Sequence, residues 1–174
     1  FEPYRWDQKG TDADKTQNAR LHVMDDQLRI AIRRIGKPHP DDKGPEVQYY
    51  LGDHLGSSNV VVDDAGAWIN REEYFPYGET SFGSFARKRY RFTGNERDDE
   101  SGLYYHGARY YAPWLARWVS CDPLGIIAGP NIYCFCDCNP VKYMDPSGNQ
   151  PVDPMVEQAL GALSEEFDAL EKEI

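Results

Sequence analysis

Gly94-Asn95-Glu96-Arg97-Asp98-Asp99-Glu100-Ser101-Gly102-Leu103-Tyr104-Tyr105-His106-Gly107-Ala108-Arg109-Tyr110-Tyr111-Ala112-Pro113-Trp114-Leu115-Ala116-Arg117-Trp118 runs into two copies of one tetrapeptide, Asp122-Pro123-Leu124-Gly125 and Asp145-Pro146-Ser147-Gly148. The two aspartates stand 23 positions apart, with the aromatic segment Asn131-Ile132-Tyr133 between them. Asp-Pro-x-Gly is turn chemistry: the aspartate accepts from its own backbone, proline fixes φ, and glycine takes positive φ. Two such turns separated by one strand-length segment can bring two carboxylates together. Carboxylates held close cannot both ionise cheaply, so one keeps a proton near neutral pH. The ionised partner then activates water and the protonated one polarises a carbonyl. The turn and the catalytic readings both fit the residues at this point.

Outward from this stretch the chain reads as hairpins. Arg20 to Ile35 breaks at Asp25-Asp26, after which Leu28, Ile30 and Ile32 alternate with Arg29, Ala31 and Arg33, the period of a half-buried strand. Lys37 to Pro45 reads as a loop, and Gln48-Tyr49-Tyr50-Leu51 as a strand ending at Gly52-Asp53-His54. Asp53-His54 is a turn rather than a catalytic pair, because strand neighbours point to opposite faces and no nucleophile motif accompanies them. Asn59 to Val62, the turn Asp63-Asp64-Ala65-Gly66, and Ala67 to Phe75 form a second hairpin. Thr80 to Lys88 reads as a linker, and Arg89-Tyr90-Arg91-Phe92 as a short strand with Tyr90 and Phe92 on one face. Residues 1–19 read as irregular. The aromatic content of 13% is expected in the core and in cross-strand pairs.

Beyond Asn149 the pattern changes. Asp153-Pro154 supplies an N-cap and a proline at the first helical position. Val156, Leu160, Leu163, Phe167, Leu170 and Ile174 then recur at heptad spacing, which predicts an amphipathic helix whose apolar seam needs a partner. The formal charge of −10 disfavours nucleic acid and anionic membranes as partners. Residues 150–174 carry −6 of it, leaving −4 on the other 149 residues. No segment approaches the roughly 18 apolar residues of a membrane span. A start at Phe1 with no Met and no signal peptide reads as a fragment or processed product. Cys121, Cys134, Cys136 and Cys138 could form a zinc site if residues 134–138 were a strand with three thiols on one face. Their spacing departs from paired C-x2-C motifs, so packed free thiols are preferred, with disulfides left open. No cofactor or metal is expected. A phosphate-binding glycine loop, His-Glu-x-x-His and Gly-x-Ser-x-Gly are all missing from the sequence.

The ordered set of Gly-Leu-Tyr-Tyr with Ala-Arg-Tyr-Tyr, Pro113-Trp114-Leu115 with Arg117-Trp118, and the doubled Asp-Pro-x-Gly resembles the core region of Rhs and YD-repeat proteins. Among them it is most similar to the C component of bacterial insecticidal Tc toxins. Leu21-His22-Val23-Met24-Asp25-Asp26 and Glu73-Tyr74-Phe75-Pro76-Tyr77-Gly78 extend the resemblance over most of residues 20–149. It implies a mainly β, hairpin-built core domain at 20–149 that closes a β-shell, after an irregular segment at 1–19. The amphipathic helix at 150–174 then begins a variable region. It also implies an intramolecular aspartyl protease with Asp122 and Asp145 as the acid/base pair, Asp98 or Asp99 as a supporting carboxylate, and Arg117 shaping the charge. The cut would fall at Asn149/Gln150, freeing a C-terminal payload from an exported toxin. The implied partners are the rest of the shell and that payload. The family usually has leucine at the scissile position, where this chain has Asn149. The alternatives are a plug that closes the shell without cutting and a module that docks a partner through the helix.

Overall fold

The computed structural model describes residues 2–4, 18–25, 28–36, 44–83 and 88–172. Seven strands form one antiparallel meander: β1 (Glu2–Tyr4), β2 (Asn18–Asp25), β3 (Leu28–Ile35), β4 (Val47–Gly52), β5 (Ser58–Val62), β6 (Trp68–Tyr74) and β7 (Thr80–Gly83). A smaller antiparallel sheet follows, β8 (Glu96–Arg97), β9 (Tyr104–Tyr105), β10 (Tyr110–Ala112) and β11 (Arg117–Trp118), again in sequential order. One helix, α1 (Pro154–Lys172), closes the described chain. The mainly β, hairpin-built expectation with a C-terminal helix is borne out.

Both expected hairpins form. The β5–β6 turn is held by Asp63, whose Oδ1 accepts from the amides of Ala65 (3.0 Å) and Ala67 (2.7 Å). Asp53 does the same for Leu55 and Ser57, and His54 Nε2 meets the Val141 carbonyl at 2.9 Å, so the pair builds a turn as expected.

Four expectations are corrected. Residues 1–19 are not wholly irregular, because β1 pairs Glu2 with Arg20 and Tyr4 with Asn18; Trp6 lies outside the described residues. Thr80 to Lys88 is not all linker, since β7 adds to β6. Arg89 to Phe92 makes one bridge, Tyr90 to Glu96, and then a 3-10 turn at Phe92–Gly94, where Thr93 takes φ 48°. In β3, Ile32 is buried, but Leu28 and Ile30 are 41% and 44% exposed. Both border an open pocket against Gly94 instead of lying under a second layer. The loop positions 37–43 lie outside the described residues.

The segment from Lys88 to Gly94 packs on the face of the large sheet that carries Ile32, Val61 and Glu72, all buried. Ser58 N–H donates to the Arg91 carbonyl at 2.9 Å and Thr93 N–H to Ser57 Oγ at 3.0 Å. A buried ion cluster reinforces this seam. Arg91 Nε donates to Glu72 Oε1 at 3.0 Å, Tyr74 OH to Glu72 Oε2 at 2.8 Å and Thr80 Oγ1 to Glu72 Oε1 at 2.6 Å, while Lys88 Nζ lies 3.3 Å from Glu72 Oε2. Burial works against the Glu72 charge, but these hydrogen bonds outweigh it and hold the carboxyl below its ordinary range. Burial also lowers Lys88 to about 8.

Phe92, Tyr104, Tyr111, Trp118, Phe135 and Cys136 form the core. The Tyr111 and Phe135 rings stack at 3.9 Å, and Trp118 meets Phe135 edge-on at 5.2 Å. Offset and edge contacts of this kind suit the ring quadrupole. Gly78 makes room for this core: a Cβ there would sit 2.5 Å from the Phe92 ring. These five aromatics are core and Tyr105 and Tyr110 form a cross-strand pair at 5.2 Å, as expected, whereas Trp68, Phe75, Phe82 and Trp114 are exposed. α1 starts as its sequence predicts, with Asp153 Oδ1 accepting from Met155 N–H at 3.1 Å and Pro154 at the first position. Val156, Leu160 and Leu163 of its seam are exposed. The Phe167 and Leu170 side chains and Ile174 lie outside what the structure describes.

Candidate functional site

The two Asp-Pro-x-Gly turns do meet, and a cation stands between them. Arg109, in the β9–β10 turn, is buried, as are Asp122 and Asp145. Its Nη1 lies 2.7 Å from Asp122 Oδ2 as a charge contact rather than an aligned hydrogen bond. Its Nη2 lies 3.4 Å from Asp145 Oδ2. The guanidinium plane is also held over the Trp118 ring at 4.2 Å.

Each turn uses its aspartate twice. Asp122 Oδ1 accepts from Leu124 N–H at 2.8 Å while Oδ2 faces Arg109. Asp145 Oδ1 accepts from Asn149 N–H at 3.1 Å while Oδ2 faces Arg109. The turn function and the pairing of the carboxylates are therefore carried by different oxygens of the same side chains. Burial is the leading influence on Asp145 and pushes its carboxyl above the ordinary range, against the pull of the Asn149 amide and of Arg109.

The β9–β10 turn, His106-Gly107-Ala108-Arg109, grips the second Asp-Pro-x-Gly by its carbonyls. His106 Nδ1 meets the Asp145 carbonyl at 2.6 Å, Ala108 N–H donates to Ser147 O at 3.0 Å, and Arg109 Nε donates to Gly148 O at 2.6 Å. A carbonyl can only accept, which puts the proton of His106 on Nδ1. Its Nε2 is then a buried lone pair without a hydrogen-bond partner, on a ring that meets Tyr111, Trp118 and Phe135 edge-on. Burial lowers His106 to about 4. Gly148 is required by this grip: at φ 71°, a Cβ would fall 2.6 Å from His106 O and 3.0 Å from Arg109 N.

The site opens into a cavity of about 370 Å³ lined by Arg109, Asp122, Asp145, Cys134, Asn149 and Gln150, among others. Asn149 and Gln150 thus stand beside the paired carboxylates. The expected supporting residues do not. Asp98 caps the 98–101 turn through Ser101 and lines a different pocket, and Asp99 is exposed. Arg117 is exposed and lies over the Tyr133 ring at 4.3 Å. The cation of the site is Arg109, not Arg117. The sequence signal for it was its place in a four-residue turn between two Tyr-Tyr pairs, which reads as strand punctuation until the carboxylates are seen to need a counter-charge.

The four cysteines are free. Cys136–Cys138 form a 3-10 turn, so the strand on which a three-thiol face would have depended does not run through 134–138. Among the described residues no cluster of His, Cys, Asp and Glu could hold a metal ion. Among them, too, no helix is long and apolar enough to cross a membrane.

No protein-family model matches the chain. It is 43% identical over 131 residues to the toxin subunit YenC1 of Yersinia entomophaga, covering 72% of this chain and 13% of that protein. It is 35% identical over 133 residues to the toxin protein Tse5 of Pseudomonas aeruginosa, covering 70% of this chain and 10% of that protein. Among solved structures it is similar to a chain of the Photorhabdus luminescens Tc holotoxin pore, with a TM-score of 0.69 and 34% identity over 79% of this chain and 7% of that one. It is likewise similar to a chain of the TcdB2-TccC3 crystal structure, with a TM-score of 0.68 and 34% identity over 76% of this chain and 7% of that one. The chain therefore spans a small fraction of the proteins it matches.

Proposed function

The chain is an Rhs/Tc C-component-like domain, and from that premise we propose that it closes a toxin shell and cuts its own backbone after the second Asp-Pro-x-Gly. The cut falls at Asn149/Gln150 and frees the segment that begins with α1 as payload. Asp122 and Asp145 are the acid/base pair. The observation that carries this reading is the convergence of two buried carboxylates on Arg109, beside a cavity that Asn149 and Gln150 line. The raised Asp145 carboxyl suits a proton donor, and the role of base toward water then falls to its partner across Arg109, Asp122. Tethering supplies the proximity, so one turnover needs only a modest site. The rest of the shell and the payload are the partners, in a protein exported to its target.

A non-cleaving plug is the second reading, and two observations favour it. Arg109 neutralises charge between carboxylates that a proton would otherwise have to share. The turn is also closed on itself, since Asn149 N–H is already taken by Asp145 Oδ1 and Asn149 stands where the family has leucine. The test is the intact mass of the folded chain at neutral pH beside Asp122→Asn and Asp145→Asn. Acid must be avoided, because Asp-Pro bonds hydrolyse there spontaneously. Two fragments divided at 149/150 in the parent and in neither variant support the protease. A whole parent chain supports the plug.

A further inference from the structure

Asn149 stands at the proposed bond with a side chain that can itself react. Its Nδ2 and its own backbone carbonyl carbon close a five-membered ring, so covalent geometry alone brings them within reach and no tertiary contact is needed. What the fold adds is restraint. Asn149 N–H donates to Asp145 Oδ1 at 3.1 Å and to Ser147 Oγ at 3.3 Å, and the preceding carbonyl, Gly148 O, accepts from Arg109 Nε at 2.6 Å. The main chain is thus pinned up to the bond, while Gln150 beyond it is exposed and free to depart. Nδ2 is held lightly: it donates to Ser147 O at 3.3 Å, a carbonyl that already takes Ala108 N–H at 3.0 Å. The Arg109 guanidinium borders the cavity that Asn149 and Gln150 line, a fixed positive charge for an oxyanion forming there.

We propose that Asn149 is itself a nucleophile, and that the chain parts at Asn149/Gln150 by closure of the Asn149 side-chain amide onto its own backbone carbonyl. Nδ2 attacks the Asn149 carbonyl carbon and loses a proton. The C–N bond to Gln150 breaks, and the proton ends on the new amine of Gln150. Asp145, whose Oδ1 lies 3.1 Å from the Asn149 nitrogen, is placed to carry it. The upstream fragment ends in a cyclic imide, and no water or oxidant is consumed. Water later opens the imide to asparagine or isoasparagine at the new C-terminus. The inference rests on the proposed function only for the bond that is cut, and it asks nothing of Asp122. It also suits a site whose carboxylates are neutralised by Arg109, because closure needs no proton shared between them.

A second asparagine supplies an internal comparison. Chemistry alone favours this closure at Asn139–Pro140, because proline has no N–H to attack the asparagine side chain in competition. The fold opposes it there: Asn139 O accepts from Tyr143 N–H at 3.0 Å and Lys142 N–H at 3.2 Å, and Pro140 is buried. The folded chain should therefore part at 149/150, and the denatured chain at 139/140 in preference.

The test incubates the folded full-length chain at mildly alkaline pH beside Asn149→Gln, Asp122→Asn and the parent in urea, and reads fragment masses and the new C-terminus. Near-ultraviolet circular dichroism confirms that each variant is folded. Cyclic closure gives two fragments whose masses sum to that of the parent until the imide opens, and isoasparagine at residue 149 afterwards. Hydrolysis by the aspartates adds one water at once and gives asparagine alone. We expect imide-ended cleavage at 149/150 in the parent and in Asp122→Asn. It should be at least about tenfold slower in Asn149→Gln, whose side chain keeps the amide but closes only a six-membered ring. A cut that adds water and disappears in Asp122→Asn overturns this inference and leaves the aspartyl reading standing. An uncut folded parent overturns both. A whole chain deamidated at Asn149 also overturns it, because the Gln150 N–H is then the nucleophile, and so does a folded chain cut at 139/140.

Discussion

At the scale of single residues, Arg109 matters most to the candidate site. Its guanidinium is the counter-charge of two buried carboxylates, and removing one member of a buried ion cluster leaves the others uncompensated. Arg109→Gln is therefore expected to cost about 3–5 kcal/mol in urea unfolding at pH 7. Asp145→Asn should behave otherwise. Its folded carboxyl is raised, so its contribution favours folding at low pH and is lost as pH rises through the folded value. At pH 7 the asparagine should leave stability within about 1 kcal/mol of the parent, and a loss as large as that of Arg109→Gln would contradict this account. His106 has the opposite sign. Lowered to about 4 from an ordinary 6.5, it favours folding above pH 6.5, and that contribution fades as pH falls from there toward 4. The interval corresponds to about 3 kcal/mol. His106→Gln should flatten the stability profile between pH 6.5 and 4 relative to the parent, read as urea midpoints at each pH. The paired aspartates were legible because a repeated turn motif announces itself in sequence. Arg109 and His106 were not, because their roles arise from a contact between the 106–109 turn and residues 145–148, nearly forty positions away.

At the scale of elements, the large sheet and the aromatic core are joined through one carboxylate. Glu72 on β6 serves Arg91, Tyr74, Thr80 and Lys88, and its side chain is fully buried. Glu72→Gln leaves two buried cations with a neutral acceptor, and a loss of about 3–5 kcal/mol is expected. Lys88→Met removes the weaker cation, whose charge burial already disfavours, and should cost less than about 1 kcal/mol or stabilise. Equal losses in the two variants, measured by chemical denaturation, would show that Glu72 is not the hub. The hairpins were readable because Asp63-Asp64-Ala65-Gly66 and the break at Asp25-Asp26 are local signals. The failures were elements that local chemistry does not set. β7 forms because β6 offers it an edge, despite its glycine and serine. Residues 136–138 turn left-handed directly after Phe135, which stacks on Tyr111, and no alternation of cysteines encodes that contact.

At the scale of the whole molecule, the described residues leave several apolar side chains open, and two such surfaces bear on assembly. One is the sheet face on which register places Leu21, Val23, Tyr49, Leu51 and Trp68, all exposed. Arg71 bridges its far end, with its guanidinium 5.8 Å from the Trp68 ring and 5.5 Å from that of Phe82. The other is the α1 seam of Val156, Leu160 and Leu163, exposed at 52%, 60% and 51%. The seam is the self-complementary one, because residues at heptad spacing on one copy fit the same residues on another. The isolated chain is therefore expected to self-associate through α1. Leu160→Lys with Leu163→Lys should give a species that sediments as a monomer at concentrations where the parent does not. Salt gives a second readout. Residues 150–174 carry seven acids against one lysine, so two copies of α1 repel each other electrostatically while their seams attract. Raising ionic strength screens the repulsion and leaves the apolar contact intact, so association should strengthen with salt. If it weakens with salt instead, charge pairing drives the contact; if the parent stays monomeric at every concentration, the seam is not self-complementary.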